Sequence, residues 1–536
     1  MLNEIRVFGP PGTGKTTWLS RNIGLAAEKH NPEGIVVASY TKTAAAELNS
    51  RDLPIPDDNI GTLHALCYRA MGKPKIAEAK EQVGEWNEKH PEFAMTGEII
   101  SAESERNYRT DGDKFLAVYN LHRARLLHPD RLPHTCHAFR MAWEKHKFKT
   151  GYVDFTDMIS YAIVQERKLD AKILFLDEAQ DFNPLQFQLL RMWEQDMEYV
   201  IIAGDDDQTL FQWCGASPEA FLNPPVPEEQ KRILSQSWRL PRAVQSYASK
   251  WISQIKHREP KNYLPRDFEG KVSRLQATIA DPEPAVDQAC RYVEAGKSVM
   301  FLTTCIYMTA DICKTLKDYG LAYHNSYRPS EARWNPLGSF SGKRDTGGRV
   351  STRERLVAFL DRSKGDFWDP ANLSLWSDII KHRGIFKKGA KELIEDAKES
   401  FGGYCHTQDL EWYKTIFEPD GLQHALDRDV NWFKEALLAS KIRPAEYSLE
   451  IYDQWGLKAL TTKPLITVGT VHSVKGGEAD IVFLWPDISH QAWENARINR
   501  DELIRTFYVG MTRAREELIL CAPSNHLAMR IDDGTI

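Results

Sequence analysis

Cysteine is scarce in this sequence, and no Cys-x-x-Cys pair occurs. The eight cysteines are spread over 536 residues, which indicates neither a disulfide framework nor a four-cysteine zinc site. No apolar run approaches the ~18 residues of a membrane span, and a strand and a glycine-rich loop occupy the first residues, where a signal peptide would lie. We therefore expect a soluble, cytoplasmic protein with reduced thiols and without a membrane partner.

A strong charge of one sign is also lacking. The formal net charge is −6, so the composition does not by itself indicate a nucleic-acid binder, although a single groove lined with Lys and Arg is compatible with it. The length predicts about three to four structural units. We expect a multidomain protein.

The N-terminal segment predicts a phosphate-binding loop. The apolar run Ile5–Phe8 precedes the pattern Gly-x-x-x-x-Gly-Lys-Thr, and a helix-forming stretch follows it. In this context backbone N–H groups at a helix start surround phosphate oxygens. Lys15 is placed to reach the β- and γ-phosphates, and the Thr16 hydroxyl is placed to hold Mg²⁺. The predicted nucleotide-binding residues of this loop are Gly9, Pro10, Pro11, Gly12, Thr13, Gly14, Lys15, Thr16 and Thr17.

Two later apolar strands end in polar residues that suit nucleotide chemistry. Asp177 can hold Mg²⁺, and Glu178 can orient and deprotonate an attacking water. An Asp-Glu pair after a strand also fits a helix N-terminus, but the phosphate loop upstream favours the catalytic interpretation. Gln208 suits a γ-phosphate sensor because its amide both donates and accepts hydrogen bonds. Trp213 fits either base stacking or an ordinary core position.

Polar residues also follow two strands near the N-terminus. Thr41 and Thr62 each stand at a predicted strand end before a helix, and His64 lies in the second of these helices. Ligands of open α/β sheets bind at the carboxyl ends of the strands. We expect these three side chains to line one surface and to suit a sugar-phosphate backbone.

Two long segments lack the strand pattern. Residues 73–150 and 335–462 are polar and helix-favouring, and we interpret them as insertions. In the first insertion, the spacing of His122, His128, His134, Cys136 and His137 matches no zinc template, so we expect these histidines on solvated helix surfaces. In the second, the basic run Lys381–Lys388 fits either a phosphate-contacting patch or a solvated helix face.

Nine sequence blocks, in order, resemble superfamily 1 helicases of the UvrD, Rep and PcrA type. They extend from the first strand almost to the last residue and leave the two insertions uncovered. The blocks are GPPGTGKT from Gly9, ASYTKTAAAEL from Ala38, GTLHALCYR from Gly61, DFTDMI from Asp154, LFLDEAQD from Leu174, IAGDDDQTLFQWCGA from Ile202, LSQSWR from Leu234, ITVGTVHSVKGGEADIVFL from Ile466 and RTFYVGMTRAREEL from Arg505.

The resemblance implies an α/β fold with two RecA-like P-loop domains. Each domain has a parallel sheet and is interrupted by a mainly helical insertion. The domain boundaries that we predict are 1–70 with 152–232 for the first domain, 71–151 for its insertion, 233–335 with 463–536 for the second domain, and 336–462 for the accessory insertion.

The resemblance also implies roles for single residues. Lys15, Asp177 and Glu178 bind and hydrolyse MgATP, with Thr16 and Asp177 as metal ligands. Gln208, Arg239 and Arg513 converge on the γ-phosphate, where two arginines neutralise developing charge. Trp238 stands where the family has a tyrosine that stacks on the nucleotide base, and Glu478 where it contacts the ribose. The implied DNA-binding residues are Tyr40, Thr41, Thr62, His64, Trp213, Thr470 and His472.

The sequence departs from the family pattern at four places. Only eight residues precede Gly9, and none is the glutamine with which the family reads adenine, so adenine selectivity stays open. Lys42, Cys214 and Gly477 replace the usual asparagine, arginine and leucine near the nucleic-acid track. Both insertions look short for the family.

The function that the resemblance implies is an ATP-driven single-strand DNA translocase and 3′→5′ DNA helicase of replication, repair or recombination. It would use ATP and Mg²⁺ and act on single-stranded DNA and duplex junctions, at the nucleoid or at a viral replication site. Two alternatives stay open. One is a nucleotide-gated DNA-binding switch that displaces proteins or recruits partners without unwinding, and the other is an RNA motor.

Overall fold

The computed structural model describes residues 4–97, 109–329, 331–338, 340, 350–363, 365–400 and 409–531. The chain divides into two compact units. The first unit comprises Met1–Arg274, Thr304–Ile306 and Val471–Ile536, and the second comprises Leu275–Thr303 and Tyr307–Thr470. The described residues form two six-stranded sheets. The domain boundaries predicted from the sequence stay a prediction.

The first sheet has the strand order β3-β2-β4-β5-β1-β6, and every pair of neighbours is parallel. Its strands are β1 (Glu4–Phe8), β2 (Ile35–Ser39), β3 (Ile60–Thr62), β4 (Ile173–Asp177), β5 (Tyr199–Gly204) and β6 (Lys231–Ile233). Ser39 lies opposite both Thr62 and Asp177, and Phe8 lies opposite Gly204. The polar residues that follow these strands therefore share one edge of the sheet.

Helices and apolar clusters cover both faces of this sheet. Strands β2 and β4 are buried along their whole length, as expected when helices lie on both sides. The helices of this part of the chain are α1 (Lys15–Lys29), α2 (Lys42–Asn49), α3 (Leu63–Ala70), α4 (Lys80–Lys89), α5 (Asp111–Ala124), α6 (His134–Thr150), α7 (Phe155–Val164), α8 (Pro184–Glu194), α9 (Pro218–Leu222) and α10 (Arg242–Ile252).

Helices α4 to α6 have an aromatic core of their own. Trp86, Phe139 and Trp143 are fully buried there, and the Trp86 and Trp143 rings meet edge to face at 4.9 Å. His122 is also buried, with Nε2 2.9 Å from the His128 carbonyl oxygen. The prediction of a solvated surface is therefore wrong for His122.

Strand β7 (Lys271–Leu275) leads into the second unit. There, the short strand β9 and the strand β8 each pair in parallel with β10. The elements are α11 (Glu283–Glu294), β8 (Val299–Thr303), α12 (Ala310–Asp318), β9 (Tyr323–His324), α13 (Thr352–Leu360), α14 (Pro370–Ser377), α15 (Ala390–Ser400), α16 (Leu410–Ile416), α17 (Pro419–Asp427), α18 (Val430–Ala436), α19 (Ala439–Thr461) and β10 (Ile466–Thr470).

The helices α13 to α19 enclose a core rich in aromatic rings. Phe359 lies 4.4 Å from Phe433 in a stacked arrangement and 5.2 Å from Trp376 edge to face. The guanidinium of Arg428 lies 3.6 Å above the Trp368 ring. This core makes the accessory helices a folded body.

The chain returns to the first unit after β10. Strands β11 (Ala479–Leu484) and β12 (Ala514–Cys521) pair in parallel, with α20 (His490–Ala496) and α21 (Asp501–Met511) between them. The predicted α/β class with two sheets of parallel strands is thus confirmed. Across the residues that the structure describes, no helix combines the length and apolar character needed to cross a bilayer.

Candidate functional site

The loop after β1 has the geometry of an anion cradle. The Gly9 N–H donates to the Gly204 carbonyl oxygen at 3.1 Å, which fixes the start of the loop against β5. Gly12 and Gly14 have φ angles of 74° and 80°, values that favour glycine. Gly14 caps α1 without a side-chain hydrogen bond, so no side chain of the cap competes for the first N–H groups of the helix.

The other loop residues keep this shape. Thr13 donates its hydroxyl to the Pro10 carbonyl oxygen at 2.8 Å, and Lys15 donates Nζ to the Gly9 carbonyl oxygen at 2.7 Å. A Cβ at Gly9 would lie 2.2 Å from Cγ of Lys15, so the loop can close over Lys15 only with glycine there. The Thr17 hydroxyl accepts from Arg51 at 3.4 Å.

A segment after β6 lies directly on the phosphate loop. Ser237 and Tyr263 donate their hydroxyls to the Pro11 carbonyl oxygen at 3.0 and 2.7 Å, and the Trp238 N–H donates to the Gly12 carbonyl oxygen at 2.8 Å. The Trp238 side chain is 74% exposed. The backbone at Trp238 is thus fixed to the loop while the indole stays available for stacking. Sequence reasoning missed Ser237, although it lies in the LSQSWR block, and Tyr263, which lies in none of the nine blocks.

The acidic pair Asp177-Glu178 lies beside the phosphate loop. The Thr16 hydroxyl donates to an Asp177 carboxylate oxygen at 3.3 Å, so the two predicted metal ligands are neighbours. Glu178 has φ 54° and ψ 38°, a left-handed conformation that costs a non-glycine residue free energy and is common at functional sites.

The pKa values of the two carboxyl groups differ strongly. Burial, and then the Glu178 charge, raise the pKa of Asp177 to about 7. Burial alone would raise the pKa of Glu178 as well, but Lys475 and Lys15 outweigh it and lower that pKa to about 2. Glu178 is therefore ionised at neutral pH, whereas Asp177 needs a cation to be fully ionised.

Lys475 contacts the acidic turn and was not predicted as a site residue. Its ammonium lies 3.2 Å from the Glu178 carboxylate and pairs with Asp181. The Gln180 amide donates to Glu178 at 2.6 Å and accepts the Asp205 N–H at 3.0 Å. A lysine followed by two glycines, just beyond a strand end, was the available sequence signal for Lys475.

Gln208 and Arg513 meet, although they lie far apart in the chain. The Arg513 guanidinium donates to the Gln208 amide oxygen at 3.2 Å, and the Gln208 amide nitrogen donates to Asp205 at 2.7 Å. Arg513 is fully buried and also donates to the carbonyl oxygens of Val509 and Gly477 at 2.9 and 3.1 Å. Both side chains are thus held in fixed orientations.

The three aspartates after β5 surround a buried lysine. Lys261 Nζ lies 2.7, 2.5 and 2.8 Å from carboxylate oxygens of Asp205, Asp206 and Asp207. Although these carboxylates are close enough together to hold a metal ion, the Lys261 ammonium already supplies their cation. The group fixes the turn that carries Gln208.

Arg239 and Glu478 pair with each other. The Arg239 guanidinium donates to the Glu478 carboxylate at 2.7 Å, and Arg515 contacts the same carboxylate at 3.3 Å. Glu478 is 40% exposed. The residues predicted to contact the γ-phosphate and the ribose therefore lie side by side, and a nucleotide would compete for this ion pair.

Two of the residues predicted to bind DNA already cap helices. The Thr41 hydroxyl accepts the Ala44 N–H at 3.1 Å, and the Thr62 hydroxyl accepts the Ala65 N–H at 3.2 Å. His64 packs edge to face against Phe155 at 6.0 Å. Desolvation lowers the pKa of His64 to about 4, so its ring is neutral at pH 7.

Aromatic rings connect other predicted DNA-binding residues. Phe211 lies 5.5 Å from Tyr40 and 6.2 Å from His472, measured between ring centroids. Trp213 lies two residues beyond Phe211 and is half-buried. Thr470 is the last residue of β10 and belongs to the second unit.

The basic run Lys381–Lys388 lies on turns between α14 and α15. Its charged side chains are exposed, while Ile385 and Phe386 are buried. The interpretation as a helix face is therefore wrong, because the run has no helical conformation. The phosphate-contacting patch stays a prediction.

Two family models match the sequence. The "UvrD/REP helicase N-terminal domain" matches residues 1–225, and the "UvrD-like helicase C-terminal domain" matches residues 465–521. Together these ranges cover more than half of the chain and include every predicted site residue except Trp238 and Arg239.

Several curated proteins are similar over long stretches. A probable DNA helicase II homolog of Mycoplasma capricolum is 24% identical over 50% of this chain and 41% of its own. ATP-dependent DNA helicase PcrA of Bacillus subtilis is 25% identical over 95% of this chain and 79% of its own. DNA helicase II of Escherichia coli is 24% identical over 47% of this chain and 38% of its own. The chain thus matches less than half the length of the first and third relatives.

Proposed function

This chain belongs to the UvrD/REP helicase family, and we propose that it is an ATP-dependent DNA helicase that translocates along single-stranded DNA with 3′→5′ polarity. It acts in DNA replication, repair or recombination, in the cytoplasm. The four-part domain division predicted from the sequence is part of this proposal.

The observation that carries the proposal is that residues suited to bind and hydrolyse a nucleotide contact one another within the first unit. Thr16 lies 3.3 Å from Asp177, and Gln208 lies 3.2 Å from Arg513. These pairs join the phosphate loop, the acidic turn and two later segments of the chain. A protein that only bound nucleotide would not need an ionised carboxylate next to the metal-ligand pair, or a sensor amide held by a buried arginine.

The phosphate loop binds the triphosphate of ATP in this proposal. N–H groups at the start of α1 and the Lys15 ammonium contact the phosphates, and Trp238 stacks on the base. The donor set of Thr16 and Asp177, a hydroxyl and a carboxylate, fits Mg²⁺. When bound, Mg²⁺ neutralises charge on the phosphate oxygens.

Glu178 orients the attacking water and accepts its proton. Gln208 contacts the γ-phosphate, and Arg513 and Arg239 neutralise the charge that develops there. Arg239 must first exchange its Glu478 partner for phosphate oxygens. Glu478 then accepts hydrogen bonds from the ribose hydroxyls. Binding of one nucleotide thus gives both Arg239 and Glu478 a new partner.

The single strand binds along residues of the first unit, several of which follow strands of the first sheet. Tyr40, Trp213 and His472 offer aromatic faces for bases. Thr41 and Thr62 suit the backbone, and His64, being neutral, contributes a hydrogen bond rather than a charge. Thr470, in the second unit, is proposed separately as a further DNA contact.

A strand-displacement assay tests the proposal. Duplexes of one sequence would carry a 3′ tail, a 5′ tail or no tail, in DNA and in RNA, and Lys15→Ala would be the inactive control. We expect ATP-dependent unwinding of the 3′-tailed DNA alone, together with ATP hydrolysis that rises strongly when single-stranded DNA is added.

The alternatives give other outcomes in the same assay. Unwinding from a 5′ tail contradicts the polarity. Hydrolysis that DNA stimulates without strand displacement, with removal of streptavidin from a biotinylated strand, indicates the protein-displacing switch. Stimulation and unwinding with RNA only indicate an RNA motor. Equal hydrolysis with and without nucleic acid contradicts a motor altogether.

A further inference from the structure

Lys475 contacts one oxygen of the carboxylate that the proposed reaction needs. The Glu178 oxygen Oε2 accepts from the Gln180 amide at 2.6 Å and lies 3.2 Å from the Lys475 ammonium. A carboxylate oxygen offers about two lone-pair positions. Both positions on this oxygen are therefore taken, and a water molecule could contact it only after one donor leaves.

Lys475 has a second carboxylate to which it can retreat. Its ammonium also pairs with Asp181, which is 1% exposed. Asp181 in turn accepts the Leu210 N–H at 3.3 Å, so its position is fixed. Lys475 can thus leave Glu178 without becoming an unpaired buried charge, which would be costly. The ammonium has two arrangements, one on both carboxylates and one on Asp181 alone.

The other side of Lys475 faces the rings at the proposed strand-binding surface. Its ammonium lies 5.4 Å from the centroid of the Phe211 ring, within range of a cation–π interaction. The same ring contacts Tyr40 at 5.5 Å and His472 at 6.2 Å. A strand that moved Tyr40 or His472 would therefore shift the ring against which Lys475 lies.

We propose that Lys475 is a positioning residue that blocks Glu178 when no strand is bound and releases it when a strand displaces the Phe211 ring. In the blocked arrangement Glu178 holds Gln180 and Lys475, and in the released arrangement Oε2 accepts a hydrogen bond from water. This inference rests on the proposed function, because it makes ATP hydrolysis depend on the strand.

The variant Lys475→Gln tests the block. Glutamine can still donate to Asp181 but has no charge with which to hold Glu178. We expect the kcat for ATP without DNA to rise about tenfold, the effect of one hydrogen bond to a charged group. The kcat at saturating DNA should change little, and so should the KM for ATP. Lys475→Arg should keep the low DNA-free rate.

Lys147→Gln is the matched control. Lys147 is a buried lysine that pairs with Asp154 and Asp157 at 2.7 and 2.5 Å, away from Glu178. Its loss should lower the thermal unfolding temperature, as we also expect for the loss of Lys475, yet leave the ratio of the rates with and without DNA at the wild-type value. The ratio therefore separates positioning from general loss of stability.

Two results would overturn the inference. In one, Lys475→Gln lowers both rates in parallel, which indicates a structural role alone. In the other, the DNA-free rate stays low and only the DNA-stimulated rate falls, which indicates that Lys475 acts in the activated state. If the wild-type protein hydrolyses no ATP, both the proposed function and this inference fail. If wild-type hydrolysis rises with DNA and Lys475→Gln keeps the same ratio, the inference alone fails.

Discussion

Two buried charge clusters of the first unit differ in how their charges balance. The insertion cluster has four buried charged groups, Arg123, Lys147, Asp154 and Asp157, and each of these carboxylates contacts both cations within 2.7 Å. Lys147 also pairs at 2.9 Å with Glu144, whose side chain is 41% exposed. The catalytic cluster consists of Lys15, Asp177, Glu178, Asp181 and Lys475. It has three carboxylates and two cations.

Because the catalytic cluster has one cation fewer than carboxylates, Asp177 is left without a cationic partner in the described part of the chain. It accepts hydrogen bonds from the Thr16 hydroxyl and the Glu178 N–H and, among the residues that the structure describes, has no ion pair. In the insertion cluster, burial opposes the charge of Asp154, but Arg123 and Lys147 outweigh it and hold its pKa well below the usual range. A balanced cluster thus holds helices together, whereas a cluster one cation short is suited to bind a cation.

Substitutions in the two clusters should differ most in their effect on the kcat for ATP hydrolysis. Glu178→Gln should lower kcat by about 10²–10⁴-fold, the range for loss of a proton-transfer group, and Lys15→Ala should also abolish most turnover. Glu178→Gln should still bind nucleotide, whereas Lys15→Ala should bind it more weakly because a phosphate contact is lost. Steady-state hydrolysis and equilibrium binding of a fluorescent ATP analogue measure the two effects.

The corresponding change in the insertion cluster is the control. Lys147→Gln should leave kcat within a factor of about two of the wild type, since Lys147 touches no group of the nucleotide site. If Glu178→Gln retains near-normal hydrolysis, the proton acceptor is another residue and the catalytic cluster has been assigned wrongly.

Stability should show the opposite contrast. Asp154→Asn leaves Arg123 and Lys147 with Asp157 as their one buried carboxylate, beside the partly exposed Glu144, and breaking a buried ion pair costs about 3–5 kcal/mol. The amide oxygen can still accept the Asp157 N–H, which now contacts Asp154 at 2.7 Å, so the cap of α7 is kept. We expect a lower midpoint in urea, measured by circular dichroism, with unchanged kcat for the folded protein.

An exposed ion pair provides the comparison for this variant. Asp196 pairs with Lys168 at 2.7 Å, and both side chains are about half exposed. Asp196→Asn should hardly move the urea midpoint, because exposed pairs contribute little. An equal shift for Asp154→Asn and Asp196→Asn would mean that the insertion cluster does not hold α5, α6 and α7 together.

The sequence predicted the parts of the catalytic cluster that lie in contiguous patterns. The loop from Gly9 to Thr17 and the pair Asp177-Glu178 follow strands, and a strand, a turn and a helix fix local positions. The contact of Arg513 with Gln208 was expected only from the family resemblance. Lys475 escaped prediction because its contact with Glu178 depends on how distant segments pack, which periodicity does not encode.

Short polar residues before a helix have two interpretations that the sequence does not separate. Thr41 and Thr62 were predicted to line a nucleic-acid surface, which stays a prediction, and their hydroxyls cap α2 and α3. A threonine before a helix satisfies a backbone N–H wherever it lies, so the pattern alone does not distinguish a cap from a contact. Both roles can coexist only if a phosphate approaches the remaining lone pair of each hydroxyl.

The catalytic cluster has one carboxylate more than it has cations, and this predicts how the Mg²⁺ requirement depends on Asp177. Asp177→Asn removes a carboxylate that we propose as a Mg²⁺ ligand, so the Mg²⁺ concentration for half-maximal hydrolysis should rise about a hundredfold, near the upper end for loss of a metal-supporting group. Titration of hydrolysis with Mg²⁺ measures the effect. Asp154→Asn serves as the matched control with an unchanged requirement. An unchanged requirement in Asp177→Asn would assign the metal to other groups.

The smallest expected effects concern two tryptophans outside both clusters, Trp238 and Trp213. Trp238 is fixed through its N–H to the phosphate loop and is 74% exposed, so Trp238→Ala should raise the KM for ATP and leave DNA affinity unchanged. Trp213 follows Gln208 by five residues and lies near Phe211, so Trp213→Ala should weaken single-strand binding by ~1–3 kcal/mol, the contribution of one stacked base.

The basal hydrolysis of Trp213→Ala should stay near the wild-type value, while unwinding becomes uncoupled from it. Fluorescence anisotropy with a labelled oligonucleotide and the ATP dependence of hydrolysis, measured on both variants, separate the two roles. Loss of DNA affinity in Trp238→Ala together with a raised KM in Trp213→Ala would mean that the roles are reversed. In that case the rings near Lys475 would belong to the nucleotide site, and the path from strand to Glu178 would have to run through another surface.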